Sequence, residues 1–304
     1  MSTFTKIIVG DDGLEGGADA VALARALAPH AEVILASAYP WDDVPSRFAQ
    51  LGYGNALRDD TEKAPAARLR GSGLADARSV AIPDTSPARA LQRLAEAEGA
   101  DLVVIGSARH GAIGRRILGD VGRGLLHGAP CPVAVAPRGQ AEQPAALASV
   151  GVAFDHSPEA RHALDVAHAL AAERGLALRV REVVAPEVIP AMGGYPMVDV
   201  AELSEELRAD AQARLHAVVG ALGGAVAVDA QAVLGATHER LGELAGEVDL
   251  LVCGSRGWGA FRRVVLGSTS DHLVHHAPCP VLVVPGVAEA QDADADAADA
   301  SVPA

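Results

Sequence analysis

The chain reads as two tandem α/β domains, each a doubly wound sheet of five parallel strands. The leading observation is a repeat: residues 101–136 and 249–284 align without a gap at a constant offset of 148. Asp101-Leu102-Val103-Val104 answers to Asp249-Leu250-Leu251-Val252, and Ala129-Pro130-Cys131-Pro132-Val133 answers to Ala277-Pro278-Cys279-Pro280-Val281. Self-similarity on this scale means that one structural unit has been used twice. Strand-like and helix-like patterns alternate within each copy, which implies crossovers and a parallel sheet. Strands such as Leu250-Leu251-Val252 are apolar without a break, as expected of a sheet covered on both faces.

The elements follow in order. Ile7–Asp12 corresponds to Val150–Asp155 and Glu32–Ala38 to Ala177–Val183. In the second copy the first strand ends at Asp155, and Ser157-Pro158-Glu159 opens a helix with Ser as N-cap and Pro in the first turn. A strand is predicted over 177–184, a long helix over 202–222, a strand over 226–234 and a helix over 238–246. A strand over 249–253, a loop over 254–266, a helix from Ser268 to His276 and a last strand from Pro280 to Val284 complete the copy. The expected organisation is a first domain over 1–137, a polar linker over 138–146, a second domain over 147–286 and an acidic tail over 287–304. That tail sets Glu289, Asp292, Asp294, Asp296 and Asp299 among alanines and is expected to be disordered.

Composition narrows the function. Half of the 304 residues are hydrophobic but only 3% are aromatic, so the cores must be built from Ala, Val, Leu and Ile. A formal net charge of −14 argues against a general nucleic-acid partner. No apolar run reaches the roughly 18 residues that would suggest a membrane span. The N-terminus shows no signal-peptide pattern, and Cys131, Cys253 and Cys279 lack metal-type spacing, which together predict a cytoplasmic protein with reduced thiols. Lys6 and Lys63 are the only lysines, and no Gly-Lys-Ser/Thr loop is present. A nucleotide site must therefore rely on backbone amides or arginine.

The loop after the fourth strand of copy 2 has the spacing Gly254-x2-Gly257-x9-Gly267-Ser268. In a doubly wound sheet, ligands sit beyond the carboxyl ends of the strands where strand order reverses. Glycines there let the backbone approach a phosphate, and a helix start at Gly267-Ser268 turns free amides and a positive dipole end toward an anion. The Ser268 hydroxyl either caps that helix or donates to a phosphate. Asp155 either caps the helix at Ser157 or meets a ligand.

With its Asp closing strand 1, its glycine loop and the run His275-x-Ala277-Pro278-Cys279-Pro280-Val281-Leu282-Val283-Val284, the chain resembles the universal stress protein family as a tandem pair. The resemblance implies a flavodoxin- or Rossmann-like fold of the adenine nucleotide alpha hydrolase type, and ATP as ligand, with any Mg2+ carried by the phosphates. Carried over residue by residue, it implies binding by Ala153, Asp155, Val183, Cys253, Gly254, Arg256, Gly257, Gly267, Ser268, Thr269 and Ser270. The corresponding positions in copy 1 are Asp12, Ala38, Gly106, Arg109, Gly119 and Asp120. There Arg109 replaces the second glycine and Asp120 the serine. Two like charges about 4 Å apart cost about 1 kcal/mol in water-like surroundings and about 4 kcal/mol at an effective dielectric near 20. Copy 1 is therefore expected to bind ATP weakly or not at all.

Other features are expected to be quieter. His272, His275 and His276 fall at i, i+3 and i+4, but Asp271 can join only one of them and no Cys completes a set, so no metal is expected. Cys131 and Cys279 read as buried filler. The final strands read as sheet-edge strands, which in the resembled family pair between subunits. An internal pseudo-dimer is expected here, with further self-association through those strands. Arg262-Arg263, like Arg115-Arg116 in copy 1, is either a solvated face or a phosphate attractor. The Ser-Gly-Gly-x-Asp-Ser loop of related nucleotidyl-transfer enzymes is absent after strand 1 in both copies. The expected activity is a binding and signalling module in stress survival; a slow ATPase, a nucleotidyl-transfer enzyme or a ligand-free structural module are the alternatives.

Overall fold

The computed structural model describes residues 2–40, 59, 61, 63, 65, 67–69, 77–107, 119–143, 146–185, 200–224, 226–255 and 266–286. Copy 1 runs β1 (Lys6–Gly10), α1 (Glu15–Leu27), β2 (Glu32–Tyr39), β3 (Arg78–Pro83), α2 (Pro87–Glu98), β4 (Leu102–Gly106), α3 (Asp120–Leu126) and β5 (Val133–Ala136). Copy 2 runs β6 (Ser149–Phe154), α4 (Pro158–Arg174), β7 (Ala177–Val184), α5 (Val200–Gly220), β8 (Val228–Leu234), α6 (Thr237–Gly246), β9 (Leu250–Gly254), α7 (Ser268–His276) and β10 (Val281–Val284). The long helix starts and ends two residues earlier than the periodicity predicts. The third strand begins at Val228, where pairing with Leu178 starts, rather than at Val226.

The ten strands of the described residues form one sheet, in the order β3-β2-β1-β4-β5-β10-β9-β6-β7-β8. Each half is parallel, and the halves meet where β5 and β10 pair antiparallel, Ala134 opposite Leu282. The fold is α/β and Rossmann-like. The final strands are thus not edges. β5 is bonded to β4 and β10, and β10 to β9 and β5, so their backbone groups are spent inside the chain, and association through them with another chain would first require opening this joint. The outer strands of the sheet are β3 and β8.

Alternate residues of the strands feed two helix layers. On one face Val9, Val104, Val152 and Leu282 pack with Leu23 and Leu27 of α1, Leu164 and Leu170 of α4, and Leu215 of α5. On the other face Ile8, Val103, Leu251 and Val283 pack with Leu91 of α2, Leu126 of α3, Leu244 of α6 and Leu273 of α7. Both layers run across the two copies without a break. Helix ends obey local chemistry: Ser86 and Ser157 cap α2 and α4 through their side chains, and Gly99 and Gly175 close the same helices with φ of 62° and 66°.

Polar contacts reinforce the joint between copies. Arg174, in the last turn of α4, donates to the Ala26 and Leu27 carbonyls of α1 at 2.7 and 2.9 Å. The segment after β5 is also held: the buried Asp19 carboxylate of α1 accepts from Gly139 N at 3.1 Å and Ala141 N at 2.8 Å. The acidic tail lies outside the described residues.

Candidate functional site

In each half the strand order reverses beside the first strand, which has the second strand on one side and the fourth on the other. The carboxyl ends of β6 and β9 therefore part at a crevice. A cavity of about 420 Å³ opens there. Ala153 lines it from β6, Asp155 from just past its end, Val183 from β7, Cys253 and Gly254 from β9, and Gly267, Ser268, Thr269 and Ser270 from the start of α7. These predicted residues thus share one cavity. Arg256 and Gly257, and likewise Arg109, Arg115-Arg116 and Arg262-Arg263, lie outside the described residues.

The start of α7 supplies the polar end. Gly267 is the N-cap, with φ −79° and ψ 162°, and Asp271 N makes the first intrahelical bond, to Gly267 O at 2.8 Å. The amides of Ser268, Thr269 and Ser270 precede that bond, so the helix itself supplies them no acceptor. Ser268 does not cap the helix: it is the first helical residue, where its hydroxyl cannot reach back as an N-cap side chain does. The Ser270 hydroxyl donates to Gly254 O at 2.7 Å, which ties α7 to the end of β9.

Gly254 has a packing reason beside the one the loop pattern suggests. A Cβ there would lie 2.7 Å from the Glu159 carbonyl carbon and 2.9 Å from Ala160 N. The residue lines the cavity, and packing of the first turn of α4 by itself requires a glycine here. The same holds in copy 1, where a Cβ on Gly106 would overlap the Gly16 carbonyl of α1.

Asp155 closes β6. Its Oδ1 accepts from Ser157 N at 3.0 Å and Ser157 Oγ at 2.5 Å, which holds the serine that caps α4 while the residue stays exposed at the cavity mouth. Between them His156 takes a left-handed φ of 64°, held by Glu182 at 3.0 Å and edge-on against Phe154. Copy 1 has Gly13 with φ 72° at this position, where no side chain resists the turn. At the cavity floor, burial pushes the Cys253 thiol up to about 12, so it stays neutral and acts as filler.

Pattern reading missed part of the lining: Thr237 and Leu241 from α6, Ser157 and Glu159 from α4, Ser255, and above all Arg181. Arg181 is 9% exposed and is the one cation among the described lining residues. A strand position with a polar residue on the expected inward face was the available signal.

Strand register fixes the correspondence of the copies. Val9 faces Val104 as Val152 faces Val252, so Asp12 is equivalent to Asp155, Ala38 to Val183 and Ala36 to Arg181. In copy 1 Asp12 Oδ1 is occupied by Leu14 N at 2.8 Å and Gly17 N at 2.9 Å. Ile105 and Leu91 crowd the strand end, since a Cβ on Gly10 would touch each at 3.1 Å. Beside Asp12, the buried Asp11 lies 3.1 Å from Arg68 Nε, an ion pair without hydrogen-bond alignment. Gly119 caps α3, and Asp120 stands exposed in its first turn where copy 2 has Ser268.

Comparison with known proteins agrees with this architecture. The chain is 33% identical over 189 residues to a universal stress protein of Mycobacterium tuberculosis, covering 60% of this chain and 61% of that one, so the match spans less than two thirds of that relative. It is 39% identical over 140 residues to a universal stress protein of Thermus aquaticus, covering 44% of this chain and 95% of the relative. Among solved structures, a universal stress protein of Archaeoglobus fulgidus superposes with a TM-score of 0.66 at 19% identity, covering 94% of this chain and all of that one. A functionally unknown protein of Pseudomonas aeruginosa superposes at 0.60 with 17% identity, covering 93% of each chain. These two superpositions speak for the fold alone. The model of the universal stress protein family matches twice, over residues 3–137 and 148–285. With both halves of the sheet matched in this way, the chain belongs to the universal stress protein family.

Proposed function

We propose that the cavity of copy 2 binds ATP and that copy 1 is its scaffold, so that the chain works as a nucleotide-responsive binding module rather than through turnover. The observation that carries this reading is that Ser268, Thr269 and Ser270, whose helix-start amides have no intrahelical acceptor, line a cavity at the strand-order reversal. Such amides and the dipole end they belong to suit a phosphate chain. Val183 and Leu241 offer apolar surface on the β7 side of the cavity for a base, and Asp155 at the mouth is a hydrogen-bond acceptor suited to a ribose hydroxyl. In copy 1 the Asp120 carboxylate opposes phosphate, and Ile105 and Leu91 crowd the equivalent space.

The test is to denature purified protein and identify the released nucleotide by chromatography, then to titrate stripped protein with ATP by calorimetry. A single ATP per chain is the expected result. Protein that carries no nucleotide and shows no thermal shift with ATP would sink the proposal, because a ligand that binds the native state must raise its stability.

A further inference from the structure

We infer that Glu182 is a positioning residue for the copy 2 site: through the His156 ring it fixes the turn on which Asp155 stands. This rests on the nucleotide reading above and adds to it a pair of residues that lie outside the cavity lining. Glu182 stands in β7 opposite Phe154 of β6 and is 8% exposed. Its Oε2 lies 3.0 Å from His156 Nε2, and its Oε1 lies 3.9 Å from Arg214 of α5. A buried carboxylate needs a partner, and the imidazole is the near one. His156 takes a φ of 64°, the left-handed region that a side chain enters only at a cost. Arg161 of α4 holds the carbonyl of the same residue at 3.3 Å. The turn from β6 into α4 is thus gripped at its apex, and the residues on either side of that apex, Asp155 and Ser157, both line the cavity.

Copy 1 makes the same turn without this grip. Gly13 stands in the place of His156 with a φ of 72°, which glycine adopts freely. Ser37 stands in the place of Glu182, and its Oγ donates instead to Asp11 O at 2.9 Å. The histidine and its buried partner are therefore not needed to make the turn. What they add is a tether to the sheet that a glycine cannot supply, and they add it in the copy whose cavity is proposed to bind. Asp155 is exposed, and both of its contacts to Ser157 fall on Oδ1, so the direction of its carboxylate depends on the backbone beneath it. Fixing a ligand-facing group before the ligand arrives raises affinity, because less freedom is lost on binding.

The test is a double-mutant cycle of wild type, Glu182→Ser, His156→Gly and the double variant. Both substitutions introduce the residue that copy 1 carries at the equivalent position, and a melting curve for each variant checks that it folds. Each protein is titrated by calorimetry with ATP and with inorganic tripolyphosphate. Glu182→Ser is expected to weaken ATP about fivefold or more, the effect of leaving a left-handed residue without support. Tripolyphosphate should bind it as it binds wild type, because the phosphates meet α7 and not Asp155. In the His156→Gly background the same substitution is expected to cost nothing further, since no imidazole remains to be held. Unchanged ATP affinity in Glu182→Ser overturns the assignment while the nucleotide site stands. An equal loss in both backgrounds, or equal losses of ATP and tripolyphosphate, would make Glu182 a general support of the fold, and either result also overturns it. Wild type that binds neither probe refutes the nucleotide reading and this assignment with it.

Discussion

Copy 1 and copy 2 share a strand order, a first loop glycine and an aspartate after the first strand, yet their crevices differ. Copy 2 keeps a cavity with free amides at Ser268–Ser270 and a buried cation, Arg181. Copy 1 sets Asp120 at the helix start and has Ala36 in place of the cation. Some of what both copies retain serves the packing of the sheet, and the cavity lining that only copy 2 has is what the proposed ATP site draws on. Gly106 and Gly254 belong to the first class, because each lets a helix start pack against a strand end.

The largest effect that could break this division concerns those glycines. Gly254→Val and Gly106→Val should each cost about 3 kcal/mol, since the new side chain meets backbone that cannot yield locally. Thermal unfolding followed by circular dichroism should show similar losses for both. Destabilisation confined to the Gly254 variant would mean that copy 1 does not need its glycine for packing.

Next in size is a charge at the helix start. Ser268→Asp, which gives copy 2 the copy 1 residue, should weaken ATP by about 1–4 kcal/mol per close charge pair, at least several-fold, while leaving the helix slightly more stable through its dipole. Unaltered affinity would remove α7 from the site. The reverse experiment replaces Arg109 by Gly and Asp120 by Ser and titrates with labelled ATP. A gain of copy 1 binding is expected, smaller than the loss in Ser268→Asp because Ile105 and Leu91 still crowd the strand end. Native copy 1 binding ATP as tightly as copy 2 would end the scaffold reading.

The smallest expected effect is a pH response that belongs to copy 2. In copy 1, α2 and α3 approach closely at Ala88 and Gly124, where a Cβ on the glycine would come within 3.0 Å of Ala88 Cβ. In copy 2 the seam of α6 and α7 is a stack of imidazoles, His238 on His272 at 4.0 Å and His272 on His276 at 4.2 Å. Burial, then the neighbouring His238 and His276, hold His272 below its ordinary value of 6.5, with Asp271 opposing and His275 adding to the depression. The unfolded chain therefore takes up this proton before the folded one. Stability from neutral His272 is present above pH 6.5 and is lost as pH falls below it. Melting temperatures from pH 7.5 to 5 should fall less steeply for His272→Gln; parallel curves would show that the stack does not sense acid.

Much of the fold was legible because it is local. Ser157-Pro158 starts a helix wherever it stands, Leu250–Val252 is apolar enough to be buried on both faces, and a 148-residue repeat makes each reading support the other. The site was legible in part for the same reason. Gly267 through Ser270 lie together in sequence, whereas Arg181, Thr237 and Leu241 reach the cavity from separate elements and only pairing register brings them there. Nothing in the loop pattern reveals that α4 also presses on Gly254.

The amino-acid sequence by itself determined the two-fold repeat, the α/β order, the helix starts at Pro158 and Ser268 and the difference between Ser268 and Asp120, because these depend on neighbours along the chain. The resemblance implied that the two copies meet through their final strands, and the tertiary structure decided the register of that antiparallel joint, Ala134 opposite Leu282. It also turned Arg181 into a buried cation at a cavity and made the first glycine of each loop a packing requirement. Each of these depends on which distant backbone arrives alongside, and hydrophobic pattern is the same whether a strand is covered by its own copy or by the other.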